Sequence, residues 1–254
     1  MNLDRLRRLP RPDLWSRLGR HEFLLLSGFC AVAAILLSFG MLAEEVVEGE
    51  SLRLDRAILL ALRNPADLAD PIGPEWLEQA ARDITALGGL TVLTLVVLGT
   101  IGFLVMIHRR RMALLVIVSA GVGTALSFLL KIFFERSRPD LVPHEVAVHT
   151  ASFPSSHAMM SAMIYLTLGA LLARVQPRRR VKAYILMVAA VVAVLIGCSR
   201  VYLGVHWPTD VLAGWFVGSA WAMLCGMVAW WLQQRAVIRV APGEDGRLAA
   251  HDLH

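Results

Sequence analysis

The sequence predicts an all-α membrane protein: six spans in one helical bundle, with two short amphipathic helices between spans one and two. Three observations carry this. Hydrophobic residues make up 57% of the 254, against about 45–50% in a soluble domain. They concentrate in six blocks, each near the roughly 20 residues that cross a bilayer. Basic residues collect in alternate segments between the blocks, as in a chain that weaves through a membrane. The net charge of +5 raises nucleic acid as a partner. The cations are split among short segments, however, so the bilayer is the expected partner and nucleic acid is not.

Residues 1–21 form a polar tail with six arginines. The first block, about 22–43, follows them as in a signal peptide. Its apolar run is long, from Phe23 to Leu42, and acidic residues stand where a small-residue cleavage site would be, so an uncleaved span is predicted. Residues 44–89 are mixed and rather acidic. Leu52 to Leu62 and Trp76 to Leu87 have helical apolar spacing, with Pro71 and Pro74 between them. They read as amphipathic helices on the membrane surface, which cover the bundle or steer a lipid towards a site. Spans two and three are about 90–107 and 113–134, separated by His108 and three arginines. A Pro-containing polar loop of about 135–153 leads to span four, about 156–173. The basic turn Arg174 to Lys182 leads to span five, about 183–198. A short polar stretch leads to span six, about 209–232, and residues 233–254 form a second polar tail. No repeat or second domain is visible. The unit is a membrane domain, 22–232, flanked by two tails.

The N-tail, the two basic turns and the C-tail share one side and hold 17 of the 25 basic residues. The positive-inside rule puts both termini in the cytoplasm. The loops at 44–89, 135–155 and around 200–208 then face the exterior, or the periplasm if this is an inner cell membrane. Cys30, Cys198 and Cys225 lie in or beside apolar runs without metal-ligand spacing, and read as small buried hydrophobes.

Three polar groups gather at the outer face, where ionisable residues mark function by default. Lys131 and Arg138 are seven residues apart and would share a face if the helix of span three continued. Taken singly, Lys131 suits a snorkelling span end, and Arg136 and Arg138 suit membrane-surface charge. Ser155 can cap span four, beside Ser156 and His157, and the free N–H groups of a helix start bind anions. His206 and Asp210 are four apart, with Pro208 suited to the first turn of span six. The Asp can accept the His Nδ1–H, leaving Nε2 as a nucleophile. Together these groups suit a dianion such as phosphate.

Lys131…Arg138-Pro139, Pro154-Ser155-Ser156-His157 and Ser199-Arg200…His206…Asp210 resemble the K-x6-R-P, P-S-G-H and S-R-x5-H-x3-D motifs of the type 2 phosphatidic acid phosphatase family, which includes the vanadium haloperoxidases. Order, internal spacing and placement by span all agree. Any one motif alone would be weak. The one departure is Ser156 for the family's Gly, which adds a hydroxyl where Gly lets backbone approach phosphate closely. The resemblance implies a membrane lipid phosphatase without cofactor or metal. Lys131, Arg138, Arg200, Ser155 and Ser156 would hold phosphate. His206 would attack phosphorus, Asp210 would orient it, and His157 would serve as acid and then base. His144 and His149 could suggest zinc, but no Cys or carboxylate cluster completes a set. Phosphatidic acid, phosphatidylglycerol phosphate, undecaprenyl diphosphate and a lipid A phosphate all fit as substrates. A lipid phosphotransferase using the same phosphohistidine is the alternative. A transporter of phosphate-bearing lipids fits less well, because the ionisable groups cluster at one face and not mid-membrane. A six-span, lipid-facing bundle fits a haloperoxidase least.

Overall fold

The structure, a computed structural model, describes residues 19–140 and 151–238. Most of both expected tails, and His144 and His149, lie outside the described residues. Eight helices are seen among the described residues: α1 Arg20–Glu48, α2 Leu52–Ala61, α3 Glu75–Ala86, α4 Leu90–Met106, α5 Arg110–Phe134, α6 Ser156–Val175, α7 Arg179–Tyr202 and α8 Pro208–Ile238. A small antiparallel pair, β1 Arg63–Asn64 and β2 Asp67–Pro71, sits between α2 and α3; the sequence reading has no strand there.

All but α4 of the spanning helices overrun their apolar blocks, because hydropathy marks only the lipid-bathed part, whereas capping chemistry sets the ends. Gly49, at φ 81°, stops α1 in the left-handed conformation. Glu135, at φ 44°, does the same for α5 and returns its N–H to the Lys131 carbonyl. Pro208 opens α8, where its missing N–H is no loss. The last turn of α7 reaches Tyr202, so Ser199 and Arg200 are helical and not in a loop.

Five helices are long and apolar enough to cross a membrane, and α3 with α4 makes a sixth, bent by 45°. The bend has a length rationale. The 17 residues of α4 rise about 26 Å at 1.5 Å each, short of a roughly 30 Å hydrocarbon core. Taken with α4, the amphipathic helix over Trp76 to Leu87 makes up the length of a candidate sixth span.

α6 is the central helix, packed against α7 and α8, while α1 lies against α8. Many large apolar side chains on α1, α4 and α5 stay exposed, among them Leu37, Leu95 and Phe128, as expected where lipid is the solvent. In such bundles close approach by small residues replaces the hydrophobic drive between helices. A Cβ on Gly214 would meet the Ser155 carbonyl oxygen at 2.8 Å, and one on Gly218 would meet that of Met159 at 2.6 Å. Between α7 and α8, Gly197 leaves room for the Trp215 ring, whose nearest atom lies 2.4 Å from where a Cβ would sit. These glycines bring the start of α6 against the first turns of α8.

Gly218→Ala therefore pushes a methyl group against the backbone of α6. Overpacking of this kind costs about 1–3 kcal/mol, which corresponds to a melting temperature lowered by several degrees in detergent. Gly99 on α4 has open space around it, so Gly99→Ala leaves the melting temperature unchanged or slightly raised. Equal stability of the two variants would contradict the packing assigned to α6 and α8.

Candidate active site

The site begins with the turn between α7 and α8. After Tyr202 the chain passes Gly204, at φ 72°, and drops His206 into the bundle end. His206 and Asp210 are both buried. Asp210 Oδ2 lies 3.3 Å from His206 Nδ1 and accepts the Trp207 backbone N–H at 3.0 Å. It also accepts the Ser152 hydroxyl. A carboxylate only accepts, so Nδ1 carries the proton towards Asp210. His206 Nε2 lies 3.4 Å from Arg138 Nη1. Arginine only donates, so Nε2 presents a lone pair on that side.

The start of α6 meets this pair through backbone. The Ser155 N–H donates to the Asp210 carbonyl at 3.0 Å, a contact made possible by the missing Cβ of Gly214. Ser155 takes the extended N-cap conformation, with ψ 114°. Its buried hydroxyl has no hydrogen-bond partner among the described residues. Ser156 and His157 follow as the first helical residues, so their N–H groups lack intrahelical partners. The Ser156 hydroxyl shares a 3.0 Å hydrogen bond with Ser127 of α5. The side chain that departs from the family pattern thus ties two spans together, and its backbone stays at the helix start.

Lys131 and Arg138 do not share a helix face, because α5 ends at Phe134. The left-handed residue Glu135 ends the helix there. Arg138 then donates to the Val205 carbonyl at 2.9 Å, beside His206. Lys131 Nζ donates to the Ala151 carbonyl at 2.9 Å. Arg200 donates to the Thr85 hydroxyl of α3 at 3.2 Å, and its buried Nε has no partner among the described residues. Gly88, in the bend between α3 and α4, packs on His157, whose Cδ2 lies 3.4 Å from where a Cβ would be. Arg200, Lys131 and Arg138 lie near enough to His157 for their charges to act on it.

Several residues here have no site role in the sequence pattern alone. Arg136, taken there as surface charge, donates to Asp210 Oδ1 at 2.6 Å, to the Thr209 hydroxyl at 2.8 Å and to Asp55 at 2.7 Å. Asp55 comes from α2 and is fully buried. Its signal was legible: with Leu52 three residues before and Leu59 four after, it lies on the inward stripe of an amphipathic helix, where an acid is out of place. Thr85 and Ser152 carried no such signal.

Burial pushes His206 from 6.5 down to about 4; hydrogen bonding and charge from Asp210 oppose this, and Arg200 and Arg138 add to it. Burial also pulls Arg138 below its ordinary value, against the attraction of Asp210. The sign for His206 follows from its neutral form being the one the fold prefers. The fold loses stability as pH falls from 6.5 through about 4, because the unfolded chain binds that proton first. At neutral pH the imidazole is therefore uncharged, with its Nε2 lone pair towards Arg138.

Fold and site together define an integral membrane protein with a buried His–Asp pair at one end of its helical bundle, beside Arg136 and Arg138. Residues 112–235 match the PAP2 superfamily. Phosphatidylglycerophosphatase B of Bacillus subtilis (strain 168) is 38% identical over 148 residues, covering 56% of this chain and 70% of that protein. The crystal structure of a transmembrane PAP2 type phosphatidylglycerolphosphate phosphatase from Bacillus subtilis superposes with a TM-score of 0.72 at 30% identity, covering 79% of this chain and 96% of that one. An undecaprenyl-diphosphatase of Sulfolobus acidocaldarius is 40% identical over 68 residues, 27% of this chain and 29% of the relative. The chain belongs to the PAP2 superfamily, among its membrane lipid phosphatases.

Two outcomes are expected. In NMR of imidazole-labelled protein, His206, assigned by its loss in His206→Ala, titrates near 4; a midpoint of 6 to 7 would contradict the buried neutral pair. Ser156→Gly retains phosphatase activity to within about threefold, since the hydroxyl it removes is engaged with Ser127. A tenfold loss would mean that this hydroxyl serves the phosphate.

Proposed function

We propose that this chain hydrolyses a phosphomonoester or diphosphate of a membrane lipid through a phosphohistidine on His206, at the outer face of the membrane and without a metal. The observation that carries this is the His206 imidazole, backed at Nδ1 by Asp210 and facing Arg138 at Nε2. That is the arrangement an in-line nucleophile needs beside a bound anion.

Lys131, Arg138 and Arg200 hold the phosphoryl oxygens, helped by the Ser155 hydroxyl and the backbone N–H groups of Ser156 and His157. The buried Ser155 Oγ and Arg200 Nε support this, because buried donors left unpaired are rare and a phosphate would satisfy them. His206 Nε2 bonds to phosphorus as the bond to the lipid oxygen breaks, and His157 gives that oxygen its proton. Asp210 holds the imidazole and balances its positive charge. Water then attacks phosphorus and loses its proton to His157, and the N–P bond breaks. Three fixed cations neutralise the phosphate, so no metal is needed in this scheme.

The distribution of basic residues supports an orientation with both termini in the cytoplasm and this site outside. The names of the relatives favour phosphatidylglycerol phosphate and undecaprenyl diphosphate as substrates, with phosphatidic acid as a further candidate. A panel of these lipids, assayed for phosphate release by the purified chain in EDTA, ranks them. His206→Ala lowers the rate by about 10³-fold or more. His157→Ala lowers it by about 10²–10⁴-fold and leaves acid-labile phosphate on the protein. Turnover that survived His206→Ala would end the phosphohistidine scheme, and turnover abolished by EDTA would end its metal independence.

A further inference from the structure

α2 lies outside the three motifs, yet it delivers a carboxylate into the centre of the site. Asp55 is fully buried. Its Oδ1 accepts the Thr209 backbone N–H at 3.0 Å, and its Oδ2 accepts the Thr209 hydroxyl at 2.6 Å and Arg136 Nη2 at 2.7 Å. The other terminal nitrogen of Arg136 reaches Asp210 Oδ1 at 2.6 Å, and its guanidinium sits 5.7 Å over the Trp207 ring. The Arg136 carbonyl also accepts the N–H of Ser152 at 2.8 Å, whose hydroxyl donates to Asp210. One guanidinium fork therefore joins two buried carboxylates, and the second of them holds the nucleophile.

We infer that Asp55 is a positioning residue for the reaction: through Arg136 it fixes the Asp210 carboxylate and preserves its charge for His206. The inference rests on the phosphohistidine scheme. Arg136 bound to Asp210 alone would be a closed pair, with the carboxylate charge drawn away from the imidazole. Asp55 shares that cation, so the Asp–Arg–Asp group keeps a net negative charge where the phosphohistidine carries a positive one. The fork also sets the carboxylate plane. With Oδ1 held by Arg136, Oδ2 is left to face His206 Nδ1 at 3.3 Å. A bidentate guanidinium supplies this geometry, and an ammonium does not.

A mere tie between α2 and the bundle would act independently of Asp210, and a double-mutant cycle separates the two roles. Asp55→Asn, Asp210→Asn and the pair are made in the full chain and assayed in detergent with a short-chain phosphatidic acid, with His206→Ala alongside. Asp55→Asn lowers kcat by about 10- to 100-fold, KM changes by less than about threefold, and the loss nearly vanishes in the Asp210→Asn background. A kcat within about threefold of the parent, or a loss that multiplies undiminished with that of Asp210→Asn, would overturn the inference. If Asp55→Asn does not yield folded protein, Arg136→Lys decides, since it keeps the charge but cannot reach both carboxylates. A kcat loss masked by Asp210→Asn supports the inference, and an unchanged kcat overturns it. Activity in His206→Ala would instead defeat the phosphohistidine scheme, a separate failure.

Discussion

Asp210 has no exposure to solvent, at the end of a bundle where an unpaired buried charge would cost several kcal/mol. Its surroundings answer that cost group by group. One oxygen accepts from Arg136. The other faces His206, the Trp207 backbone and the Ser152 hydroxyl. Its own carbonyl takes the N–H of Ser155. The segments before α6, before α8 and after α5 all converge on this one residue. Satisfying the carboxylate and assembling the site are thus the same structural problem.

The membrane bundle solves the coarse part of it. Glycines on α8 let α6 approach to backbone contact, and this close approach sets where the first turns of both helices lie. The start of α6 then meets the first turn of α8 backbone to backbone, the Ser155 N–H on the Asp210 carbonyl. The aromatic rings of Phe39, Phe134 and Phe153 pack together below, joining α1 and the end of α5 to the segment that leads into α6. The apolar core stops where the charged groups begin, so the buried His–Asp pair sits at an end of the bundle.

The segment between α1 and α4 gives the site its outer wall. Asp55 of α2 binds Thr209 and Arg136, the Arg63 guanidinium donates to the Tyr202 carbonyl at 2.6 Å, and Thr85 of α3 accepts from Arg200. The Tyr202 hydroxyl returns a bond to Ile72 at 2.8 Å, pinning the hairpin to the end of α7. Covering the bundle and holding its functional side chains are one role here, because the polar inward residues of this segment bond to the helix ends that carry the motifs.

The sequence by itself determined the helical membrane bundle, because runs of apolar residues report a solvent directly. It also determined the pairing of His206 with Asp210, since four residues at a helix start bring two side chains together whatever the rest of the chain does. The rest is not local. Asp55 and Arg136 are 81 residues apart, and Asp55 and Thr209 are 154 apart. No periodicity connects positions so distant. The same holds for Ser127 with Ser156, and for Lys131 and Arg138, which bond to Ala151 and Val205 and not along one helix face. Only the tertiary structure decided those contacts. They depend on how closely the helices pack and where their ends turn, and a hydropathy pattern specifies neither.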